Sequence, residues 1–242
     1  MWCVGRGALL AWGLVFVAAG SVCKAEAAPI TFHFTGTVKV VDPPLTALFA
    51  VGDHVSGFYT FEPNTPDTDP QPTAGLYGGA VSAFSFTLNS YTASYSAGGI
   101  GIVNDHGDVA PIDDYRVAGS PPLVGAPVAG RNLFSFDLDL RDSTHTALNS
   151  PALQATPPDP SAFDPSVLGS FANLFVLFRD PNDTGVIVPL QQVAAHIDSI
   201  TGPEGPPAPA SGPPGYLTIG AAVLALVLLA QRRRRFLLGV TD

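Results

Sequence analysis

Alternation of apolar and polar side chains is the feature of this 242-residue chain that most limits its fold. Residues 30–40 alternate from Ile30 onward, with the apolar positions Ile30, Phe32, Phe34, Val38 and Val40. Residues 133–140 repeat the pattern, with Phe134, Phe136, Leu138 and Leu140 on one phase and Ser135, Asp137 and Asp139 on the other. A period of two over this length is typical of a strand with one buried face.

Shorter stretches predict further strands, at residues 55–61, 80–88, 91–96, 100–103, 114–117 and 174–178. Weaker patterns predict strands at 186–188 and 196–200, with a turn of helix at 190–195 between them. Gly, Pro and Asp separate these segments, which favours turns. We therefore expect an all-β protein whose residues 28–201 form one β-sandwich of jelly-roll type. The proline-rich stretch 143–170 is interpreted as an insertion or a mobile loop.

The charge balance excludes one class of partner. Between residues 28 and 215 there are 18 acidic and 5 basic side chains, a net charge of 5 − 18 = −13. A nucleic-acid-binding protein needs a basic surface for phosphates, so we expect no nucleic-acid partner. Both cysteines, Cys3 and Cys23, precede residue 28. Residues 28–242 therefore lack thiolate nucleophiles, thiolate metal ligands and disulfides.

The first 27 residues have the layout of a secretion signal. Arg6 precedes an apolar run at residues 8–20, and Ala25 and Ala27 then match the small-x-small pattern read by signal peptidase. We expect cleavage after Ala27. Two alternatives stay open, a lipoprotein modified at Cys23 and an uncleaved N-terminal anchor.

The C-terminal segment contains three parts in a fixed order. A Pro/Gly/Ala linker occupies residues 202–215, an uncharged apolar run follows at 216–230, and four arginines come next, Arg232, Arg233, Arg234 and Arg235. As a helix, the run would span about 22 Å, less than the ~30 Å hydrocarbon core of a bilayer. Residues 216–235 thus predict a short single transmembrane helix whose arginines stop translocation and leave the β domain outside. A permanent single-pass anchor is the alternative to a processed tail.

This order of spacer, apolar run and arginine cluster resembles the PEP-CTERM sorting signal. In that family, a membrane protease of the exosortase type recognises the tail and is thought to cut near a Pro-Glu-Pro motif. The best-placed counterpart here is Pro207-Ala208-Pro209, which lacks the glutamate, whereas Pro203-Glu204-Gly205 lacks the second proline. Segments such as Gly57-Phe58-Tyr59-Thr60-Phe61 are also similar to exported domains that carry this tail. The resemblance implies export and processing at the cell surface, without an assigned activity.

A search for catalytic motifs yields no catalytic residue. The sequence has no G-x-S-x-G, H-E-x-x-H, P-loop or EF-hand pattern. His106 and Asp108 are the positions whose loss would reveal an unrecognised hydrolase site. A glycosidase needs two carboxylates across the scissile bond, and the scattered aspartates form no such pattern. The chain is predicted not to be an enzyme and to need no cofactor.

Two binding functions remain as alternatives. Asp105 and Asp108 lie in one Asp-rich turn and Asp180 and Asp183 in another, so each turn offers oxygen ligands for Ca²⁺. Asp and Asn also occur in turns for purely local reasons. Aromatic side chains near turns suggest a platform for carbohydrate, made of Tyr77, Tyr91 and Tyr95.

The leading expectation is thus a non-enzymatic surface or matrix protein. It is exported, held briefly at the inner membrane by its tail, and then released or attached outside the cell. Its expected partners are signal peptidase, an exosortase-type protease, the membrane and extracellular polysaccharide. A carbohydrate- or calcium-binding module of an exopolysaccharide layer is the second hypothesis, and a hydrolase with an unrecognised site is the third.

Overall fold

The computed structural model describes residues 27–106, 111–163, 166–182 and 190–203. Ten strands occur within these ranges and every pairing between them is antiparallel. Their bounds are β1 Ile30–Val41, β2 His54–Phe61, β3 Ala74–Leu88, β4 Tyr91–Tyr95, β5 Gly98–His106, β6 Ile112–Gly119, β7 Val124–Gly125, β8 Asn132–Asp142, β9 Phe171–Arg179 and β10 Gln191–Thr201. Short 3-10 turns lie at Pro43–Leu45 and Pro160–Ala162.

The strands close into a ring. The hydrogen-bonded order runs β2-β1-β10-β9-β8-β6-β5-β3, and β2 also pairs with β3, which joins the two ends. One half of β3 pairs with β5 and the other with β4, so β4 and β5 occupy a single position in the ring. β7 adds a short pairing to β4. The architecture is a closed antiparallel barrel of 8 strands, in which the first strand, β1, also pairs with the last, β10.

The predicted jelly-roll-like sandwich is therefore wrong. Alternation indicates which side of a strand is buried, but it does not say which strand lies beside it. The deciding element is β3, whose 15 residues reach β2 on one side and both β4 and β5 on the other. Within the described ranges, no helix is both long enough and apolar enough to cross a bilayer. The helix predicted at 216–235 lies outside those ranges.

Aromatic rings fill the inside of the barrel. Phe136 of β8 lies at the centre of one cluster, with ring centroids 5.2 Å from Phe84, 5.0 Å from Phe86 and 4.9 Å from Tyr95. All four side chains are buried. Side chains fill the interior of small barrels in this way, and the resulting apolar burial stabilises them in place of disulfides. Gly57 permits the packing, because a Cβ there would overlap the ring of Phe34.

Most predicted strands are confirmed, with two differences. Residues 191–195 belong to β10 and pair with β9, so the predicted helical turn at 190–195 is wrong. The partner register of β8 shifts between Leu133 and Ser135, and Phe134 is 46% exposed rather than sharing the buried phase of Phe136. The strand predicted at 186–188 lies outside the described residues.

The proline-rich stretch, predicted to be an insertion or a mobile loop, also differs from its prediction. Residues 143–163 pack onto one end of the barrel, where Leu148 and Phe163 are buried in the core. The Tyr77 hydroxyl donates to the Pro151 carbonyl at 2.9 Å and accepts from the Leu153 amide at 3.0 Å. This part of the stretch is therefore a cap on the barrel.

Candidate functional site

The outward side chains of β6 and β8 form a charged face, which we define as Asp114 and Arg116 with Asp137, Asp139 and Arg141. The register places Asp114 opposite Arg141 and Arg116 opposite Asp139. The Arg141 guanidinium donates twice to Asp114 Oδ2, at 3.0 and 2.9 Å. Arg116 Nε donates to Asp137 Oδ2 at 3.1 Å. Each guanidinium thus donates to one carboxylate, Arg141 to Asp114 and Arg116 to Asp137, and neither of these hydrogen bonds reaches Asp139.

Asp139 has the most unusual environment on this face. It is 8% exposed, and its Oδ1 atom is buried and has no hydrogen-bond partner among the described residues. The pKa of Asp139 is raised to about 7, mainly by burial and next by the Asp114 carboxylate, while the guanidiniums of Arg141 and Arg116 act in the opposite direction. Burial also raises the pKa of Asp137, despite its ion pair with Arg116. A carboxyl group of this kind exchanges its proton near neutral pH, and shifts of this size are enriched at functional sites.

The sequence indicated that Asp137 and Asp139 point outward but gave no sign of their burial. Aromatic and guanidinium groups surround them on the neighbouring strands. Asp137 is opposite Phe175 in the register, and Arg141 lies 5.4 Å from the Phe171 ring centre. Long side chains of this kind shield short ones on an outer sheet surface. That shielding depends on cross-strand register, which one sequence does not reveal.

At one end of the barrel, aspartates hold the loop that follows β8. Asp142 is buried and accepts from the amides of Thr144, Thr146 and Ala147 and from both threonine hydroxyls. Burial by itself would raise the pKa of Asp142, but the hydrogen bonds from Thr144 and Thr146 outweigh it and lower the pKa to about 2. Asp113 is also buried and accepts from the amides of Asp105 and Leu148.

Of the predicted calcium ligands, Asp105 lies in β5 and not in a turn, and Asp180 directly follows β9. Asp105 Oδ1 is 2.9 Å from His145 Nδ1, and Asp105 Oδ2 accepts from the Asn104 amide group at 3.2 Å. Asp180 accepts from the backbone amide of Asn182 at 2.9 Å. Asp108 and Asp183 lie outside the described residues. Across the described part of the chain, no group of three His, Cys, Asp or Glu side chains is arranged to hold a metal ion.

The tyrosine platform predicted for carbohydrate is wrong. Tyr77, Tyr91 and Tyr95 are all buried, because their positions in β3 and β4 face the barrel interior. The aromatic ring that does lie on the outer surface of this region is Phe58 of β2, with a centroid 6.0 Å from that of the exposed His33. A signal was available, since Phe58 shares the phase of Ser56 and Thr60, opposite the buried Val55, Tyr59 and Phe61.

The surface around Phe58 is rich in hydroxyl groups. One row of cross-strand partners runs Thr201, His33, Phe58, Ser85, Ser94 and Val124. A parallel row, two residues away along each strand, runs Ser199, Thr35, Ser56, Thr87 and Thr92. We call these two rows the hydroxyl face. They contain no Asp, Glu, Lys or Arg.

Two shallow depressions adjoin Phe58 on this face. The first has a volume of about 410 Å³, and its lining includes Phe58, Ser85, Ser94 and Ser96. The second has a volume of about 370 Å³, and its lining includes His33, Thr35, Ser56 and Phe58. Within the described ranges, the hydroxyls of Ser56, Ser94 and Ser96 make no hydrogen bond to another protein group, whereas Thr35 and Ser199 are bonded to each other at 2.8 Å.

The sorting residues predicted from the sequence lie outside the described ranges. They are Ala25, Pro207, Ala208, Pro209 and the four arginines Arg232, Arg233, Arg234 and Arg235. Ala27 is the first described residue and is exposed, three residues before β1 begins. No protein family, curated protein or solved structure matches this chain.

Proposed function

We propose that this chain is an exported, non-enzymatic protein of the cell surface or extracellular matrix, sorted through its C-terminal tail. The observation that carries the proposal is the order of the tail, a proline-rich linker at 202–215, an apolar run at 216–230 and the cluster Arg232–Arg235. The leader at 1–27 directs export, and signal peptidase cuts after Ala27. An exosortase-type protease then cuts the linker near Pro207-Ala208-Pro209.

The charge of the tail supports the proposed topology. Arginine is costly at membrane depth, roughly 2.5–3.5 kcal/mol per residue at the centre of a helix on insertion scales, so four in succession halt translocation. The apolar run holds the chain in the inner membrane until it is cut. The barrel then lies on the outer side, where it is released or attached. A composition this rich in Pro and Gly favours an extended chain that a protease can reach.

Intact mass spectrometry of the surface fraction tests this proposal. The chain is expressed in a host with an exosortase-type protease and in the same host without it. With the protease, the expected product begins at Ala28 and ends near Pro209. An Arg232–Arg235 to Ser variant tests the role of the cluster, and we expect it to escape processing. Recovery of chains that keep the arginines in both hosts would instead indicate a permanent anchor.

A second candidate is a carbohydrate-binding module of an exopolysaccharide layer. Phe58 favours it, because an outward ring among unpaired serine hydroxyls offers both stacking and hydrogen bonding. This candidate concerns what the barrel binds, and the sorting proposal concerns where the barrel is delivered. The two are compatible.

A further inference from the structure

We propose that the hydroxyl face binds an extended, uncharged polysaccharide, with Phe58 as the stacking residue. The inference develops the second candidate function above and does not depend on cleavage of the tail. It assigns a site to the outer surface of β10, β1, β2, β3, β4 and β7.

The length of the face suits a chain-like ligand. Six strands contribute to the row that runs from Thr201 to Val124. With neighbouring strands about 4.8 Å apart, the row extends for roughly 24 Å along the curved surface. Phe58 lies near its middle, and the two depressions flank that ring. A ligand several sugar rings long can therefore contact the aromatic ring and both depressions at once.

The chemistry of the face suits sugar hydroxyls. A serine hydroxyl both donates and accepts, which matches a partner that also does both. Ser56, Ser94 and Ser96 are available for such bonds, since they make none with other protein groups in the described ranges. The ring of Phe58 offers an apolar surface for the C–H face of a sugar, and His33 beside it adds a second ring with polar nitrogens.

Other classes of ligand fit this face less well. A metal ion needs carboxylate or carbonyl ligands, and no carboxylate lines either depression. A nucleic acid needs basic groups, which the two rows lack. A stable protein interface buries a more apolar centre than a single phenylalanine provides. An anionic polysaccharide is disfavoured because the exported region has 18 acidic and 5 basic side chains.

The test uses the full-length chain, purified in a detergent without a sugar headgroup so that the detergent does not compete. Calorimetric titrations measure binding to dextran, mixed-linkage β-glucan and galactomannan as neutral probes, and to alginate as an anionic probe. We expect binding to at least one neutral probe and weaker binding to alginate. Phe58→Ala should weaken the neutral interaction about tenfold or more, and Phe58→Tyr should preserve it.

Phe134→Ala is the matched control. Phe134 is another outward phenylalanine on a strand, 46% exposed, but it lies on β8 beside the charged face. Circular dichroism melting shows whether each variant is folded, and we expect Phe134→Ala to leave the affinity unchanged. The proposal is overturned if no neutral probe binds, or if Phe58→Ala and Phe134→Ala have equal effects. Because these measurements do not involve the tail, a failure here leaves the sorting proposal standing, and a failure of tail processing leaves this one standing.

Discussion

The charged face and the hydroxyl face lie on the same barrel but use their polar groups differently. On the charged face, each guanidinium is bonded to a carboxylate, as in the pair between Arg141 and Asp114. On the hydroxyl face, Ser56 and Ser94 have no protein partner in the described part of the chain, and no charge is present. Polar groups that are bonded to each other act on stability and its pH dependence, whereas unpaired surface hydroxyls remain available to a ligand.

The largest expected effect is at Asp142, where the charged strand β8 ends. Asp142→Ala should lower the free energy of unfolding by about 3 kcal/mol, because a buried carboxylate is lost and the amides of Thr144, Thr146 and Ala147 lose their acceptor. Urea denaturation at pH 7 measures the loss. The control is Asp198→Ala beside the hydroxyl face, where an exposed carboxylate accepts from the Thr37 hydroxyl and the loss should stay below about 0.5 kcal/mol.

The contribution of the Asp142 carboxylate to stability depends on pH. Its pKa is lowered to about 2 in the folded state, so its contribution is complete above the ordinary value near 4 and is lost as the pH falls from about 4 towards 2. The difference in stability between wild type and Asp142→Ala should therefore shrink over that interval. A constant difference down to pH 2 would contradict the assigned hydrogen bonds.

Asp139 should show the opposite pH dependence. Its pKa is raised to about 7 in the folded state, so above pH 4 the unfolded chain ionises while the folded chain still retains the proton. The contribution of Asp139 to the free energy of unfolding therefore falls as the pH rises from about 4 to 7. Asp139→Asn imitates the protonated form, and we expect it to gain about 2 kcal/mol over wild type between pH 5 and 8. Parallel stability curves for the two proteins would refute the raised pKa.

The pairing of Arg116 with Asp137 should have a smaller effect. Arg116→Ala leaves a mostly buried carboxylate without its guanidinium, but Arg116 itself is half exposed, so we expect a loss of about 1 kcal/mol. A double-mutant cycle with Asp137→Asn isolates the interaction, because the loss should largely disappear in the Asp137→Asn background. Equal losses in both backgrounds would mean that Arg116 acts through packing and not through its ion pair.

Some of the structural features behind these predictions can be predicted from the sequence, and others cannot. The alternation in β1, β2 and β8 gave the buried faces, because period two is a local property of a strand. Closure of the ring was hidden, since it depends on how β3 pairs with three other strands. The helical turn expected at 190–195 fails for a related reason. Its buried run of Val193, Ala194 and Ala195 lies opposite a register shift in β1, which interrupts the usual alternation.

The two candidate sites also differ in how far the sequence predicts them. Phe58 was predictable as an aromatic residue in the polar phase of a strand. Asp139 was predictable as an outward residue, but its burial and unpaired oxygen depend on β6 and β9 side chains that only the register brings alongside. Non-local strand pairing therefore decides which outward-facing side chains are buried by their neighbours.

The smallest expected effect on stability is on the hydroxyl face. Ser56→Ala removes an exposed hydroxyl that has no partner among the residues the structure describes, so the free energy of unfolding should change by less than about 0.5 kcal/mol. Thr35→Ala is the matched variant, since it breaks the bond to Ser199 and should cost slightly more. If Ser56→Ala instead costs as much as Arg116→Ala, the serine hydroxyl is contributing to the fold. The contrast between the two faces would then be lost, because a group needed for the fold is not free for a ligand.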